Sequence, residues 1–282
     1  MSTKYPSRFF VPMASTLGAT FLAMHVAYAV DGVTLISQSK ALAGDVTPGD
    51  APGFPVTLTR RGSYRLSTNL RVVGDTDGIE VFVEDVAIDL NGFSIRGPGG
   101  TGSGNGINAP IARLSTTNGI VLNFGGTGVI CSSEARITRL QIMGNRGGGI
   151  RTSASFGGSI VRDNILTFNG GEAAIWLTGS GDQAIGNTLW NNTGIGIRGG
   201  GACIVKENAV SSSGGHGIRA FNGCLVSDNS VRDSGGFELF LDPGVGYKGN
   251  VLTTSPGGNT GSDVSGGIEI GTNVCGNDTI CP

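Results

Sequence analysis

The chain has 282 residues, of which 51 are glycine and only 14% are charged, and its formal net charge is −2. This balance argues against a basic nucleic-acid binder. Low charge with positive mean hydropathy also excludes a solvated, coreless chain, so this much glycine has to occupy fixed places in a packed repeat.

The first segment reads as a leader, residues 1–29. Lys4 and Arg8 precede an uncharged stretch from Phe9 to Met24, and Ala27-Tyr28-Ala29 supplies the small residues of a cleavage site. Pro12 and the modest length disfavour a membrane anchor, and no second apolar run of membrane length follows. Cleavage after Ala29 would leave 17 basic against 21 acidic side chains, a net charge of −4, on an exported chain with no membrane span, periplasmic or secreted. Residues 30–74 do not fit the later repeat. Gly53-Phe54-Pro55-Val56-Thr57-Leu58 and Gly62-Ser63-Tyr64-Arg65-Leu66 read as strands of a cap that covers the first coil.

Residues 75–270 are organised by a period. Asn164, Asn187, Asn208, Asn229 and Asn250 recur at gaps of 23, 21, 21 and 21 residues, each followed two positions later by an apolar residue. One unit runs Gly194-Ile195-Gly196-Ile197-Arg198, Val205-Lys206-Glu207-Asn208-Ala209-Val210, Ser213-Gly214. The next runs Gly215-His216-Gly217-Ile218-Arg219, Val226-Ser227-Asp228-Asn229-Ser230-Val231, Ser234-Gly235. A period near twenty with β-type alternation and no helical pattern predicts an all-β solenoid with about three short strands per coil. Coils stacked about 4.8 Å apart place equivalent asparagines over one another, either as an inward amide ladder or as an outward row of turns. Gly119-Ile120-Val121 with Ile137 to Leu140 is expected to be an edge coil, with Leu140 in the asparagine position. The glycine-rich stretch 97–106 reads as an interrupting loop. Asp163, Glu207 and Asp228, each preceding a ladder asparagine, read as solvated surface with Arg162 and Lys206 beside them.

Residues 271–282 form a tail in which Cys275 and Cys281 are positioned to close a loop. Cys203 and Cys224 stand 21 apart at one position of adjacent coils, as a disulfide or as stacked thiols, and Cys131 has no evident partner. The spacings match no zinc pattern, so no metal site is expected.

The Gly-Ile and Val-x-x-Asn coils, the opening Ile88-Asp89-Leu90-Asn91-Gly92-Phe93-Ser94-Ile95, and the exported, cysteine-tailed layout resemble the right-handed parallel β-helix proteins of the pectin-lyase-like superfamily. Exported bacterial members with no assigned reaction look most similar. The resemblance spans about residues 75–270 and implies a right-handed parallel β-helix. It leaves activity open, since members include lyases, hydrolases, epimerases and proteins without a known reaction.

If each isoleucine of the Gly-Ile strand points inward, the next residue points out. That outward column reads Glu80, Asn108, Val121, Arg151, Trp176, Arg198, Arg219, Phe240, Glu269, and the position two earlier is glycine except at Ala174 and Glu238. The expected surface is an Arg/Trp stripe beside a shallow, glycine-floored groove, with Arg151, Trp176, Arg198, Arg219, Phe240 and Glu238 as ligand contacts. An acidic polysaccharide suits it, because a guanidinium forks onto carboxylate or sulfate and an indole offers a face to a sugar. Stacked Arg198 and Arg219 repel unless an anionic ligand, or Glu172, Glu207 or Glu238, lies near.

Gly215-His216-Gly217 with Ile218-Arg219 is similar to fragments of β-helix polygalacturonases, but the Asn-Thr-Asp and Asp-Asp elements of that family are absent and no carboxyl pair for hydrolysis flanks His216. A lyase or epimerase acting on uronates needs a neutralised carboxylate and a base, roles open to Arg198, Arg219 and His216. Calcium assistance is unsupported, with only Glu238 and Asp242 near the stripe, and no cofactor is expected.

Overall fold

The computed structural model describes Met1 and residues 32–111, 113–153, 156–253, 263–276 and 281. The expected leader, 1–29, lies outside the described residues apart from Met1. Among the described residues no helix is long and apolar enough to cross a membrane.

The chain winds as a parallel β-solenoid. Each full coil contributes three strands, for example Ile195–Arg198, Ile204–Lys206 and Ala209–Ser211, and each strand pairs in parallel with its counterparts one coil before and one coil after. The first strand of every coil joins a ten-stranded sheet, and the other two run in a nineteen-stranded sheet. Register follows the sequence period, with Ile197 opposite Ile218, Val205 opposite Val226 and Val210 opposite Val231. All six side chains are buried. Alternation therefore points one apolar row from each of the three strands into a shared interior that no single coil could enclose.

Stacking already runs through the region expected to be a cap. Val33–Ile36 pairs with Gly62–Leu66, and Val56–Leu58 pairs with Ile79–Val81, so these segments are coil strands. The helix Gln38–Ala43 sits at this end, capped by Ser37, whose hydroxyl accepts from the Lys40 N–H at 3.1 Å, and its Ala41 is buried in the core.

The asparagines point inward. In each of Asn164, Asn187, Asn208, Asn229 and Asn250, the Nδ2 donates to the Oδ1 of the next asparagine at 2.9 to 3.0 Å, and the same Oδ1 accepts the preceding coil's backbone N–H. Each Nδ2 also donates to a carbonyl one coil back, as Asn208 does to Ala184 at 2.9 Å. Leu140 closes the row at one end, its N–H donating to Asn164 Oδ1. At the other end the row continues past Asn250 to Asn273.

A second ladder was not anticipated. Asn145 and Asn169 make the same contacts one bend later, Asn192 accepts from Asn169 and donates to the Leu166 carbonyl, and the row continues as Ser213 and Ser234. In both rows the residue before the ladder position has a left-handed backbone, as in Asp163, Glu207 and Asp228 at the first and Phe168, Asn191, Ser212 and Asp233 at the second. One left-handed residue turns the chain sharply while the next side chain faces the interior. Glycine takes that role at Gly186 and Gly249. The exposed charges before the asparagines thus stand on turn positions as well as on the surface.

Glu238, expected beside the stripe, is instead fully enclosed at the end of the second ladder, where the Ser234 N–H and hydroxyl donate to its carboxylate. Burial pushes its pKa above the usual carboxyl range despite those bonds. Cys203 is joined to Cys224 across adjacent coils, with a Cα separation of 4.4 Å, and Cys275 is joined to Cys281. Cys131 is free and buried, its thiol pushed up to about 12 by burial.

Two stability outcomes follow from the ladders. Asn208→Ala should lower unfolding free energy by roughly 3 kcal/mol, because groups on both neighbouring coils lose partners, and Asn273→Ala, at the row's end, by clearly less. Urea unfolding of the two variants checks the order. Because the folded state holds the Glu238 proton more tightly than the unfolded chain, ionising Glu238 destabilises the fold as pH rises through its elevated pKa. Glu238→Gln should therefore be more stable than wild type at pH 7, with the gain shrinking as pH falls toward the ordinary carboxyl range, as thermal melts across pH would show.

Candidate functional site

The outer face of the ten-stranded sheet carries the residues singled out from the sequence. Arg151 pairs in register with Trp176, Trp176 with Arg198, Arg198 with Arg219, and Arg219 with Phe240. The ends of the column differ from expectation. Val121 is buried in a strand of the other sheet, and Ile130 of Thr127–Cys131 stands between Asn108 and Arg151 in its place. Glu269 pairs with Tyr247 in the other sheet, and Ser265 follows Phe240. The string Gly-Ile-Val at 119–121 reads like Gly-Val-Ile at 128–130, and only the pairing partner separates them.

No glycine-floored groove lies beside the column. A Cβ built on Gly196 would fall 2.5 Å from Val210 Cγ1, and one on Gly217 would fall 2.3 Å from Val231 Cγ1, so these glycines face the core. Strict alternation fails at the start of the strand, where Gly196 and Ile197 are successive residues that both face inward. Glycine is required for close approach at those positions, since any side chain would enter occupied space.

In place of a groove there is a stack of alternating cations and rings. The Arg151 and Arg198 guanidinium groups lie 4.4 and 4.6 Å from the centre of the Trp176 ring system, on a common indole. Arg198 and Arg219 then share Phe221, at 5.2 and 4.9 Å, and Arg219 also reaches Phe240 at 5.3 Å. Phe221 was missed in the sequence. Its signal was present, since it lies two residues beyond Arg219 and so returns to the same face. His216 completes the stack, 4.5 Å from Phe240 with an interplanar angle of 6°, with Phe237 at 5.8 Å.

Charge is only partly balanced within the protein. Glu172 pairs with Arg198 at 2.7 Å, whereas Glu207 pairs with Lys206 and Glu238 is buried. Among the described residues no carboxylate pairs with Arg151 or Arg219. The Nε atoms of Arg198 and Arg219 are enclosed without a hydrogen-bond partner. Stacking therefore holds the Arg219 guanidinium in place, and stacking together with the Glu172 ion pair holds that of Arg198.

His216 accepts a hydrogen bond at Nδ1 from the Phe237 N–H, at 3.0 Å. Burial first, and then the Arg219 charge, pushes its pKa below the usual histidine value, so the ring is neutral at pH 7 and carries its proton on Nε2. In this arrangement the imidazole presents a donor. The column between Ile130 and Phe240 contains no carboxylate, so it lacks the paired carboxyl groups of glycoside hydrolysis. Among the described residues no three His, Cys, Asp or Glu side chains converge as metal ligands.

A family model described as a right handed beta helix region matches residues 173–265, the coils that carry Trp176, Arg198, Arg219 and Phe240. No curated protein sequence matches the chain. Among solved structures, the A-module of mannuronan C-5 epimerase AlgE4 from Azotobacter vinelandii is similar at 14% identity and a TM-score of 0.37, covering 87% of this chain and 85% of that one. The architecture is a right-handed parallel β-helix.

Proposed function

We propose that this chain binds an acidic polysaccharide along the outer face of its ten-stranded sheet. The observation that carries the reading is the run Arg151, Trp176, Arg198, Arg219 and Phe240, in register on successive coils, with two of its three arginines lacking a carboxylate partner among the described residues. Rings that clamp the guanidinium planes restrict the arginines before any ligand arrives, which reduces the ordering cost of binding. Outer guanidinium nitrogens remain as charge-assisted donors, and a polymer lying parallel to the solenoid axis meets them coil by coil. The −4 charge expected after leader removal makes this cationic column a local feature and gives it contrast against the rest of the surface. Action outside the cytoplasm is supported by the leader-like amino terminus and by the bonds Cys203–Cys224 and Cys275–Cys281.

A second reading is modification of a bound uronate by elimination or epimerisation. It is favoured by one observation, that His216 is held neutral beside Arg219, as a base for the α-proton would be. Arg198 or Arg219 would neutralise the uronate carboxylate. Against it, Nδ1 is occupied by the Phe237 N–H and Nε2 carries the proton, so the imidazole would have to exchange partners before accepting one.

The test uses polygalacturonate and alginate with the leaderless chain. Arg219→Ala should weaken binding at least about tenfold, the loss of one charge-assisted contact. Added salt should weaken wild-type binding, and a neutral dextran should not compete. Binding equal to wild type in both Arg198→Ala and Arg219→Ala would remove the proposal. Incubation in D2O separates the second reading. Ultraviolet absorbance of unsaturated uronate marks elimination and deuterium at C5 marks epimerisation, and either signal should disappear in His216→Ala.

A further inference from the structure

A cleft of about 490 Å³ lies over the second ladder bend, and none of the arginines of the column lines it. Three successive coils line it with Asn191 and Thr193, Ser212 and Gly214, Asp233 and Gly235. Asn191, Ser212 and Asp233 are the left-handed residues of their bends, and Phe168 holds the same place one coil earlier, at the mouth of the row. Phe168 packs edge-on against Trp190, with ring centres 5.0 Å apart and planes at 78°. Both rings are exposed, at 50% and 46%. Two half-exposed rings at one spot are unusual in a chain with only 6% aromatic residues, where most large side chains face the interior.

We propose that this cleft binds a neutral, hydroxyl-rich glycan. Its lining is amide, hydroxyl and backbone, with no cation and a single carboxylate. Most of the surface this lining exposes is carbon, with a few amide and hydroxyl groups at Asn191, Thr193 and Ser212 to meet sugar hydroxyls, and it offers nothing to neutralise an anion. Trp190 directly precedes Asn191 of the lining, and its pair with Phe168 offers an exposed apolar surface of the kind that takes the C–H face of a pyranose, beside a few polar anchors. With no cation in the cleft, the two faces of the solenoid have different preferences: acidic glycan on the ten-stranded sheet, neutral glycan at the bend. The inference does not depend on the arginine column.

The chain has two tryptophans, and they lie on these two surfaces. In the leaderless Trp176→Phe chain, Trp190 is the sole indole. Titration with cellohexaose and maltohexaose should give a saturable change in its emission with at least one of them. Thr193→Phe, which fills the cleft, or Phe168→Ala, which removes the ring beside Trp190, should weaken that binding at least tenfold. Arg219→Ala should leave it unchanged, whatever it does to acidic glycans. Calorimetry on the unsubstituted chain repeats the measurement if Trp176→Phe folds poorly. Absence of saturable binding to both oligosaccharides, or binding that survives Thr193→Phe and Phe168→Ala, would overturn the proposal.

Discussion

Each asparagine amide from Asn164 to Asn250 is bonded to the coils on both sides of it. Asn208 donates to Asn229 and to the Ala184 carbonyl, and accepts from Asn187. A coil one residue out of step would leave unpaired amides on both neighbours, at about 1 to 3 kcal/mol for each orphaned group. The ladder therefore enforces a common phase at its bend. It tolerates extra length only elsewhere in the coil, which is how gaps of 21 and 23 coexist along one row.

That phase is inherited by every outward position. Equivalent surface residues are stacked about one strand spacing apart whether or not their chemistry favours it. Two arginines at about 4.8 Å repel by roughly 1 kcal/mol in water. Each cation–ring contact returns about 0.5 to 1 kcal/mol at a partly exposed site, and Trp176, Phe221 and Phe240 supply five such contacts. Interleaved rings are thus enough to offset the repulsion without a ligand. The enclosed Nε atoms of Arg198 and Arg219 show that the stack is accepted at some cost in hydrogen bonding.

The second bend shows the same constraint with a different outcome. Its ladder runs from asparagine at 145, 169 and 192 to serine at 213 and 234, where the shorter side chains no longer bridge coils. Ser213 Oγ is left without a partner, and Ser234 turns to the enclosed Glu238. The outward residues of that bend still stack and line the cleft. Interior polar pairing and the outer surface are therefore set by successive residues of one turn, the left-handed residue facing out and its successor facing in.

By itself the sequence determined the solenoid, its three-strand coil, the stacked asparagine row with Leu140 at its edge, and the middle of the arginine column, because all of these repeat at a constant interval; that the row points inward was decided by the structure. It did not reveal the second ladder, since the change from asparagine to serine breaks the identity that makes a row visible. Nor did it place the column's ends. Val121 and Ile130 sit in similar strings, and Glu269 follows the same Gly-Ile pattern as Arg198, so only strand pairing could assign them to sheets. The glycines before the column were read as open floor, and Glu238 as its acidic member, because period-two alternation was carried back to the strand starts, where it does not hold. The tertiary structure decided these points, along with the contacts of Phe221 and His216 on their neighbours' rings. Which side of a turning backbone faces the core, and which ring reaches which cation, depend on the packing of adjacent coils rather than on spacing along one of them.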